Sequence, residues 1–191
     1  MQFPDQVEQL DGMADYIGFI FYEQSKRFVE KTSSVTKAQK VGVFVNASLE
    51  EIELAIRKHS LDIVQLHGNE APELCTALKP KIQLVKAFGV NSSFEFNTCE
   101  PYEGEVDYFL FDTKTPLHGG SGKQFDWSVL THYKGNTPFL LSGGIAPSSV
   151  ESLKAFQHPK FAGIDLNSGF EHSPGDKNIA ALTTFIEQIK N

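Results

Sequence analysis

The chain has 191 residues, 40% of them hydrophobic, and a formal net charge of −7 at pH 7. This length and composition predict a single globular domain over residues 1–191. The negative charge, without a clustered run of Lys and Arg, argues against binding to nucleic acid or to an anionic membrane. The sequence also contains no stretch of the roughly 18 apolar residues that a membrane span needs, and no signal-peptide pattern at its start. We therefore expect a cytoplasmic protein.

Helical and β-rich segments alternate along the sequence. Residues 4–10 have the pattern of an amphipathic helix, and further helical patterns lie at 48–59, opened by a capping box of Ser48 and Glu51, at 147–157 and from about residue 178. Between them lie seven short apolar runs that we predict to be strands: 16–21, 41–45, 62–66, 82–88, 107–111, 138–141 and 161–165. Nearly continuous apolar runs are typical of parallel strands buried on both faces. The alternation predicts an α/β fold.

Three glycine-containing loops follow the last three predicted strands. The first comes after Asp112 and contains residues 119–123, and the other two are the segments 141–145 and 163–171. Backbone N–H groups in such loops bind anions, and (β/α) barrels build phosphate sites at the carboxyl ends of their strands. The sequence therefore predicts a phosphorylated small-molecule substrate.

The two cysteines, Cys75 and Cys99, have no CxxC or Cys/His metal spacing, so we interpret them as reduced and inert thiols. The sequence likewise has no other metal-ligand spacing and no cofactor fingerprint. We expect the chemistry to need neither a metal nor a cofactor.

Six motifs, in order along the chain, resemble the phosphoribosylanthranilate isomerase family. They are Gly18-Phe-Ile-Phe-Tyr22 with Ser25 and Arg27, Val41-Gly-Val-Phe-Val-Asn46, Val64-Gln-Leu-His-Gly68, the block 112–127, Leu141-Ser-Gly-Gly144 and Asp165-Leu-Asn-Ser-Gly169. The resemblance spans essentially the whole chain and implies a single-domain (β/α)8 TIM barrel of tryptophan biosynthesis. The implied activity is that of an aldose-ketose isomerase, an Amadori rearrangement of N-(5-phospho-β-D-ribosyl)anthranilate to 1-(2-carboxyphenylamino)-1-deoxy-D-ribulose 5-phosphate.

The resemblance also implies roles for particular residues. Asp112 matches the general acid, Arg27 the group that clamps the anthranilate carboxylate, and His67 and Asp165 substrate-binding side chains. The phosphate would be held by backbone N–H groups of Gly120, Ser121, Gly143, Gly144, Ser168 and Gly169. Structural alternatives exist for each: a turn-forming Asp112, a solvated Arg27, a packed His67, an Asp165 that accepts hydrogen bonds from its own loop, and glycines that serve only turn geometry.

One feature of the family has no counterpart in the sequence. Members usually open with a short strand ending in Lys-Ile-Cys-Gly-Met or similar, and that cysteine is their catalytic base. We therefore expect the first strand to be missing from this chain, which leaves seven strands of eight and makes its activity uncertain. The alternative function is a non-catalytic or inactive barrel that binds a phosphorylated ligand. Indole-glycerol-phosphate synthase and sugar-phosphate epimerases fit the strand ends less well, and both a monomer and a homodimer remain open.

Overall fold

The fold is built on a curled parallel sheet of seven strands, seen in a computed structural model that describes residues 1–113 and 126–190. The strands pair strictly in chain order, each with the next along the sequence. They are β1 (Tyr16–Ile20), β2 (Gln39–Phe44), β3 (Ile63–Leu66), β4 (Gln83–Val90), β5 (Tyr108–Thr113), β6 (Phe139–Leu141) and β7 (Phe161–Ile164). All seven predicted strands are confirmed, with ends shifted by two residues at most.

Five α-helices are found in the described part of the chain: α1 (Pro4–Leu10), α2 (Leu49–His59), α3 (Pro72–Leu78), α4 (Val150–Ala155) and α5 (Ile179–Lys190). Short 3-10 helices span Phe96–Tyr102, Trp127–His132, Pro147–Ser149 and Ser168–Phe170. A small antiparallel hairpin of β8 (Glu171–Ser173) and β9 (Asp176–Lys177) precedes α5. No helix among the described residues is long and apolar enough to cross a membrane.

Local sequence signals account for where the helices begin. The predicted capping box of α2 is present, because the Ser48 hydroxyl accepts from the Glu51 N–H and the Glu51 carboxylate accepts from the Ser48 N–H. The helix predicted at 147–157 has two parts, a 3-10 turn at Pro147–Ser149 followed by α4. The Ser149 hydroxyl accepts from the Ala146 N–H and ties this first turn to the preceding loop.

Both faces of the sheet are buried, as the apolar runs predict. The inner face carries a compact cluster of Val41, Ile63, Val85, Ala87 and Leu110. The outer face packs against the helices through a larger cluster that includes Phe19, Phe44, Phe109, Phe111 and Phe139. Side chains alternate along a strand, so Phe109 and Phe111 of β5 point outward while Leu110 and Asp112 point inward. The strand phenylalanines are therefore core residues, and the inner face is left free to present Asp112.

Candidate functional site

A cavity of about 450 Å³ runs along the inner face of the sheet, and its lining includes residues at the carboxyl ends of the strands. Most of the residues proposed from the sequence line it: Arg27, His67, Asp112, Asp165, Gly143, Gly144, Ser168 and Gly169. Carboxyl ends of parallel strands meet at one edge of a sheet, and this convergence brings together residues of β5 and of the loops after β1, β3, β6 and β7. Gly120 and Ser121 lie outside the described residues.

Asp112 and His67 lie next to each other in the cavity lining. The distance from His67 Nε2 to Asp112 Oδ2 is 3.4 Å, and both side chains are about one-fifth exposed. Asp112 Oδ1 accepts from the Thr113 N–H at 2.8 Å. The Gln65 amide lies 2.9 Å from His67 Nδ1, and with its nitrogen turned toward the ring it makes Nδ1 an acceptor and places the proton on Nε2. Gln65 thus orients the N–H of His67 toward Asp112.

Asp165 follows β7 and belongs to the same cavity wall. Its Oδ2 accepts from the Ser142 hydroxyl at 2.9 Å, which joins the loop after β7 to the loop after β6. Burial raises the pKa of Asp165, the hydrogen bond from Ser142 opposes this, and the charge of Asp112 raises the pKa further. The protonated form of Asp165 is therefore more accessible near neutral pH than it is for an aspartate in water.

The glycines after β6 and β7 are required by the close approach of backbones. Gly143 and Gly144 have φ of +84° and +68°, in the left-handed region that favours glycine. A Cβ on Gly143 would lie 2.3 Å from Thr113 Oγ1 and 2.6 Å from Asp112 Oδ1. A Cβ on Gly169 would lie 2.1 Å from the Ile145 carbonyl oxygen. The backbone geometry alone therefore already demands glycine at these positions, and at Gly143 the demand arises beside Asp112.

Arg27 lies in the loop after β1 and is not solvated. Its guanidinium donates hydrogen bonds to the Glu171 carboxylate, with Nε 3.0 Å from each carboxylate oxygen and Nη2 2.5 Å from Oε2. Glu171 belongs to β8 and also accepts from Lys177 Nζ of β9 at 2.9 Å. The Glu171 side chain is 4% exposed and that of Arg27 16%. Arg27 is thus held in a cluster at the cavity wall, which the sequence interpretation did not predict.

The charges of this cluster depend on one another. Burial opposes the ionisation of Glu171, but hydrogen bonds and charges from Arg27 and Lys177 outweigh it and lower the pKa of Glu171 to about 2. Burial lowers the pKa of Lys177 below its usual range, and the Glu171 carboxylate counters part of that change. Lys177 Nζ also donates to Asn167 Oδ1 at 2.6 Å. We refer to Arg27, Glu171 and Lys177 below as the triad.

A second buried ion pair lies close by but outside the cavity lining. Lys86 of β4 points to the outer face of the sheet, where its Nζ is 2.9 Å from Glu70 Oε2 and 2.7 Å from the Gly68 carbonyl oxygen. Glu70 Oε1 in turn accepts from the N–H groups of Asn46 and Gly68. This pair holds together the loops after β2 and β3, the second of which carries His67.

The cysteines are remote from this chemistry. Cys75 of α3 and Cys99 of a 3-10 helix are buried in the outer core and do not line the cavity. Burial raises the pKa of the Cys75 thiol to about 11 and that of the Cys99 thiol to about 12. Both thiols are therefore protonated and unreactive at neutral pH. Among the residues that the structure describes, no group of three or more His, Cys, Asp or Glu side chains is placed to hold a metal ion.

A protein-family model described as N-(5'phosphoribosyl)anthranilate (PRA) isomerase matches residues 3–188. The chain belongs to this family. The N-(5'-phosphoribosyl)anthranilate isomerase of Parabacteroides distasonis is 51% identical over 199 residues, a match that covers 99% of this chain and 90% of that relative. The sequence resemblance is thereby confirmed.

Solved structures of the family share the fold. The crystal structure of phosphoribosyl anthranilate isomerase from Thermotoga maritima superposes with a TM-score of 0.86 at 34% identity, covering 100% of this chain and 95% of that one. A crystal structure of phosphoribosyl anthranilate isomerase in complex with reduced 1-(o-carboxyphenylamino)-1-deoxyribulose 5-phosphate matches with a TM-score of 0.82 at 30% identity, with the same coverage. The predicted TIM-barrel class of α/β fold is confirmed.

These matches do not bear out the expectation that a first strand is missing. The chain superposes on the two family structures over its whole length, and the alignments cover at least 90% of the relatives just named. The expectation rested on a count of apolar runs and on one absent motif. Such a count identifies the segments that form strands in this chain and cannot establish the loss of another.

Proposed function

We propose that this chain catalyses the isomerisation of N-(5-phosphoribosyl)anthranilate, with Asp112 as the general acid. One observation carries the proposal. The Asp112 carboxyl stands at the end of β5 inside the cavity, 3.4 Å from His67 and against the glycine turn after β6. A structural, turn-forming aspartate would not need an inward position beside a second proton-bearing group. The membership of the chain in the isomerase family supports the same reaction.

The reaction requires proton transfers that conserve the atoms of the substrate. Protonated Asp112 gives its proton to the ring oxygen of the furanose, and the C1–O bond breaks to form a Schiff base between C1 and the anthranilate nitrogen. Loss of the C2 proton to a base then gives an enolamine, which tautomerises to the ketone at C2. The Nε2–H of His67 is placed to stabilise the Asp112 carboxylate that remains after proton transfer.

Different residues suit the two anionic groups of the substrate, its phosphate and its carboxylate. Gly143, Gly144, Ser168 and Gly169 line the cavity, and backbone N–H groups in such loops suit a phosphate group. Arg27 lines the wall near β8 and suits a carboxylate, because a planar guanidinium forms paired hydrogen bonds with it. The related isomerase that binds a reduced product analogue carries both a phosphate and a carboxyphenyl group in its ligand, which supports this assignment.

Neither cysteine of this chain supplies the base. The thiols of Cys75 and Cys99 are buried away from the cavity and have pKa values raised to about 11 and about 12. The family's cysteine motif is absent from the sequence. We therefore assign a named side chain to the acid step alone.

The direct test is to incubate the purified chain with N-(5-phosphoribosyl)anthranilate and to quantify the 1-deoxyribulose 5-phosphate product by liquid chromatography. We expect product formation that rises in proportion to protein concentration and is absent with heat-denatured protein. Tight calorimetric binding of the reduced product analogue without any product formation would contradict the proposal and would favour a non-catalytic phosphate-binding barrel.

A further inference from the structure

Arg27 is held in a fixed orientation by a buried carboxylate. Three short contacts join its Nε and Nη2 to Glu171, and the Arg27 N–H donates to the Ser25 hydroxyl at 3.1 Å. The loop that carries Arg27 is also held by the N-terminal segment, because the Gln2 amide donates to the carbonyl oxygens of Lys26 and Phe28. Both the backbone and the guanidinium plane of Arg27 are therefore set before any ligand arrives.

The geometry leaves part of the guanidinium available. Within the described residues, Nη1 of Arg27 forms no hydrogen bond, while Nε and Nη2 are used by Glu171. Arg27 lines the cavity, so its remaining N–H groups suit a second carboxylate there. A guanidinium carries five N–H donors in one plane and can serve two carboxylates on different edges at once.

The charge of the triad is unbalanced. Two cations, Arg27 and Lys177, share the single carboxylate of Glu171, and the Lys177 side chain is 7% exposed. A buried excess of one positive charge is costly unless an anion approaches it. Asp165 lies close enough to interact with Lys177, but burial raises the pKa of this aspartate and so disfavours its ionised form. The unbalanced triad thus favours a ligand that brings its own carboxylate.

We propose that Glu171 and Lys177 are positioning residues that orient Arg27 and keep its neighbourhood cationic, so that the cavity selects substrates whose aromatic amine carries a carboxylate. This inference rests on the proposed function and extends it to specificity. Glu171 holds the Nε and Nη2 edge of the Arg27 guanidinium. Lys177 prevents Glu171 from neutralising Arg27, because it shares the same carboxylate.

The test compares two ligands and two substitutions. The ligands are the reduced product analogue, which carries the carboxyphenyl group, and the corresponding phenyl analogue without the carboxylate. For Glu171→Gln and Arg27→Ala we expect the Kd of the carboxyphenyl analogue to rise about tenfold or more, and that of the phenyl analogue to change less than about threefold. The double variant should be no worse than Arg27→Ala alone, because both substitutions remove the same contact.

Glu103→Gln is the matched control. Glu103 also accepts several hydrogen bonds, from Tyr133, Asn136 and Thr137, but it lies away from the cavity lining. We expect this variant to lose stability while both Kd values stay within about twofold of the wild type. If Glu171→Gln is folded by circular dichroism and weakens both analogues equally, or neither, the inference is wrong. If Glu171→Gln does not fold, Glu171→Asp serves in its place. It keeps the charge but shortens the side chain, so the Kd of the carboxyphenyl analogue should rise more than that of the phenyl analogue, and an equal change in both would overturn the inference.

Binding and turnover separate this inference from the proposed function. A chain without isomerase activity whose Glu171 and Arg27 variants lose only the carboxyphenyl analogue would contradict the function and uphold the triad. An active chain whose KM and analogue affinities do not respond to Glu171→Gln would uphold the function and overturn the triad. In an active chain we expect Glu171→Gln to raise KM about tenfold and to leave kcat within about threefold, because the carboxylate contact is present in both ground and transition states.

Discussion

Two buried ion clusters near the cavity differ in their net charge, one being neutral and the other positive. In the pair of Lys86 and Glu70, one cation meets one carboxylate, and side-chain exposure is 2% and 1%. The lysine also donates to backbone carbonyl oxygens, and the glutamate accepts from backbone N–H groups. In the triad of Arg27, Glu171 and Lys177, two cations share one carboxylate and the arginine reaches the cavity.

The difference separates structural from functional use of the same side chains. The balanced pair satisfies all of its charge internally and joins the loops after β2 and β3, so it has nothing left to offer a ligand. The triad has two cations to one carboxylate, and within the described part of the chain Nη1 of Arg27 forms no hydrogen bond. A buried ion pair adds little net stability as such, but loss of one partner leaves an uncompensated buried charge. The two clusters should therefore respond differently to substitution.

The largest loss of stability is expected for substitution in the neutral pair of Lys86 and Glu70. Lys86→Met leaves the Glu70 carboxylate buried without a counter-ion and should lower the free energy of unfolding by about 3–5 kcal/mol. Urea denaturation followed by circular dichroism measures this change. The double variant Lys86→Met with Glu70→Gln removes both charges and should recover part of the loss. A single variant that costs less than about 1 kcal/mol would contradict the structural role of the pair.

Ionisation of Glu171 in the triad should make the stability of the chain depend on pH. The pKa of Glu171 is lowered from 4.5 to about 2 in the folded chain. A lowered pKa means that the ionised group stabilises the fold above its unfolded pKa, and that this stabilisation disappears as pH falls from about 4.5 toward 2. The full contribution corresponds to about 3 kcal/mol.

The measurement compares wild type with Glu171→Gln in urea denaturation at several pH values. The stability advantage of the wild type should be greatest near neutral pH and should shrink as the pH falls from about 5 to about 3. An advantage that is independent of pH over that range would mean that the Glu171 charge does not stabilise the folded chain.

The smallest change in stability is expected from the loss of a single hydrogen bond to a carboxylate. It gives a reference value against which the effects of the two ion clusters can be compared. The Ser142 hydroxyl donates to Asp165 at the cavity wall. Ser142→Ala should lower the free energy of unfolding by about 1 kcal/mol, since one side-chain hydrogen bond is lost. Thermal or urea unfolding at neutral pH checks this value. A loss as large as that of Lys86→Met would show that hydrogen bonds, and not charge balance, dominate this end of the sheet.

The parts of the structure that could be predicted from the sequence are those with a local or periodic signal. The seven apolar runs gave the strands, and Ser48 with Glu51 gave the start of α2. The convergence of His67 and Asp112 followed from their places at the ends of parallel strands. In each case a short stretch of sequence carries the physical cause.

The contacts of Arg27 could not be predicted from local or periodic sequence patterns. Arg27 and Glu171 are 144 positions apart, and no periodicity relates them. Their meeting depends on how the loop after β1 and the hairpin after β7 fold over the cavity. Lys86 sat within a predicted apolar strand, where its charge was the one signal that a buried partner must exist. A charged residue inside an apolar run is therefore the feature that could have led to this pair.

The proposed mechanism depends most directly on the chemistry of Asp112. The deciding measurement is the rate of conversion of N-(5-phosphoribosyl)anthranilate by Asp112→Asn beside the wild type, together with the Kd of the reduced product analogue. An amide cannot donate the required proton, so we expect the rate to fall by about 10²–10⁴-fold while the Kd stays within about tenfold. An Asp112→Asn variant that converts the substrate at the wild-type rate would contradict the assignment of the acid and, with it, the proposed mechanism.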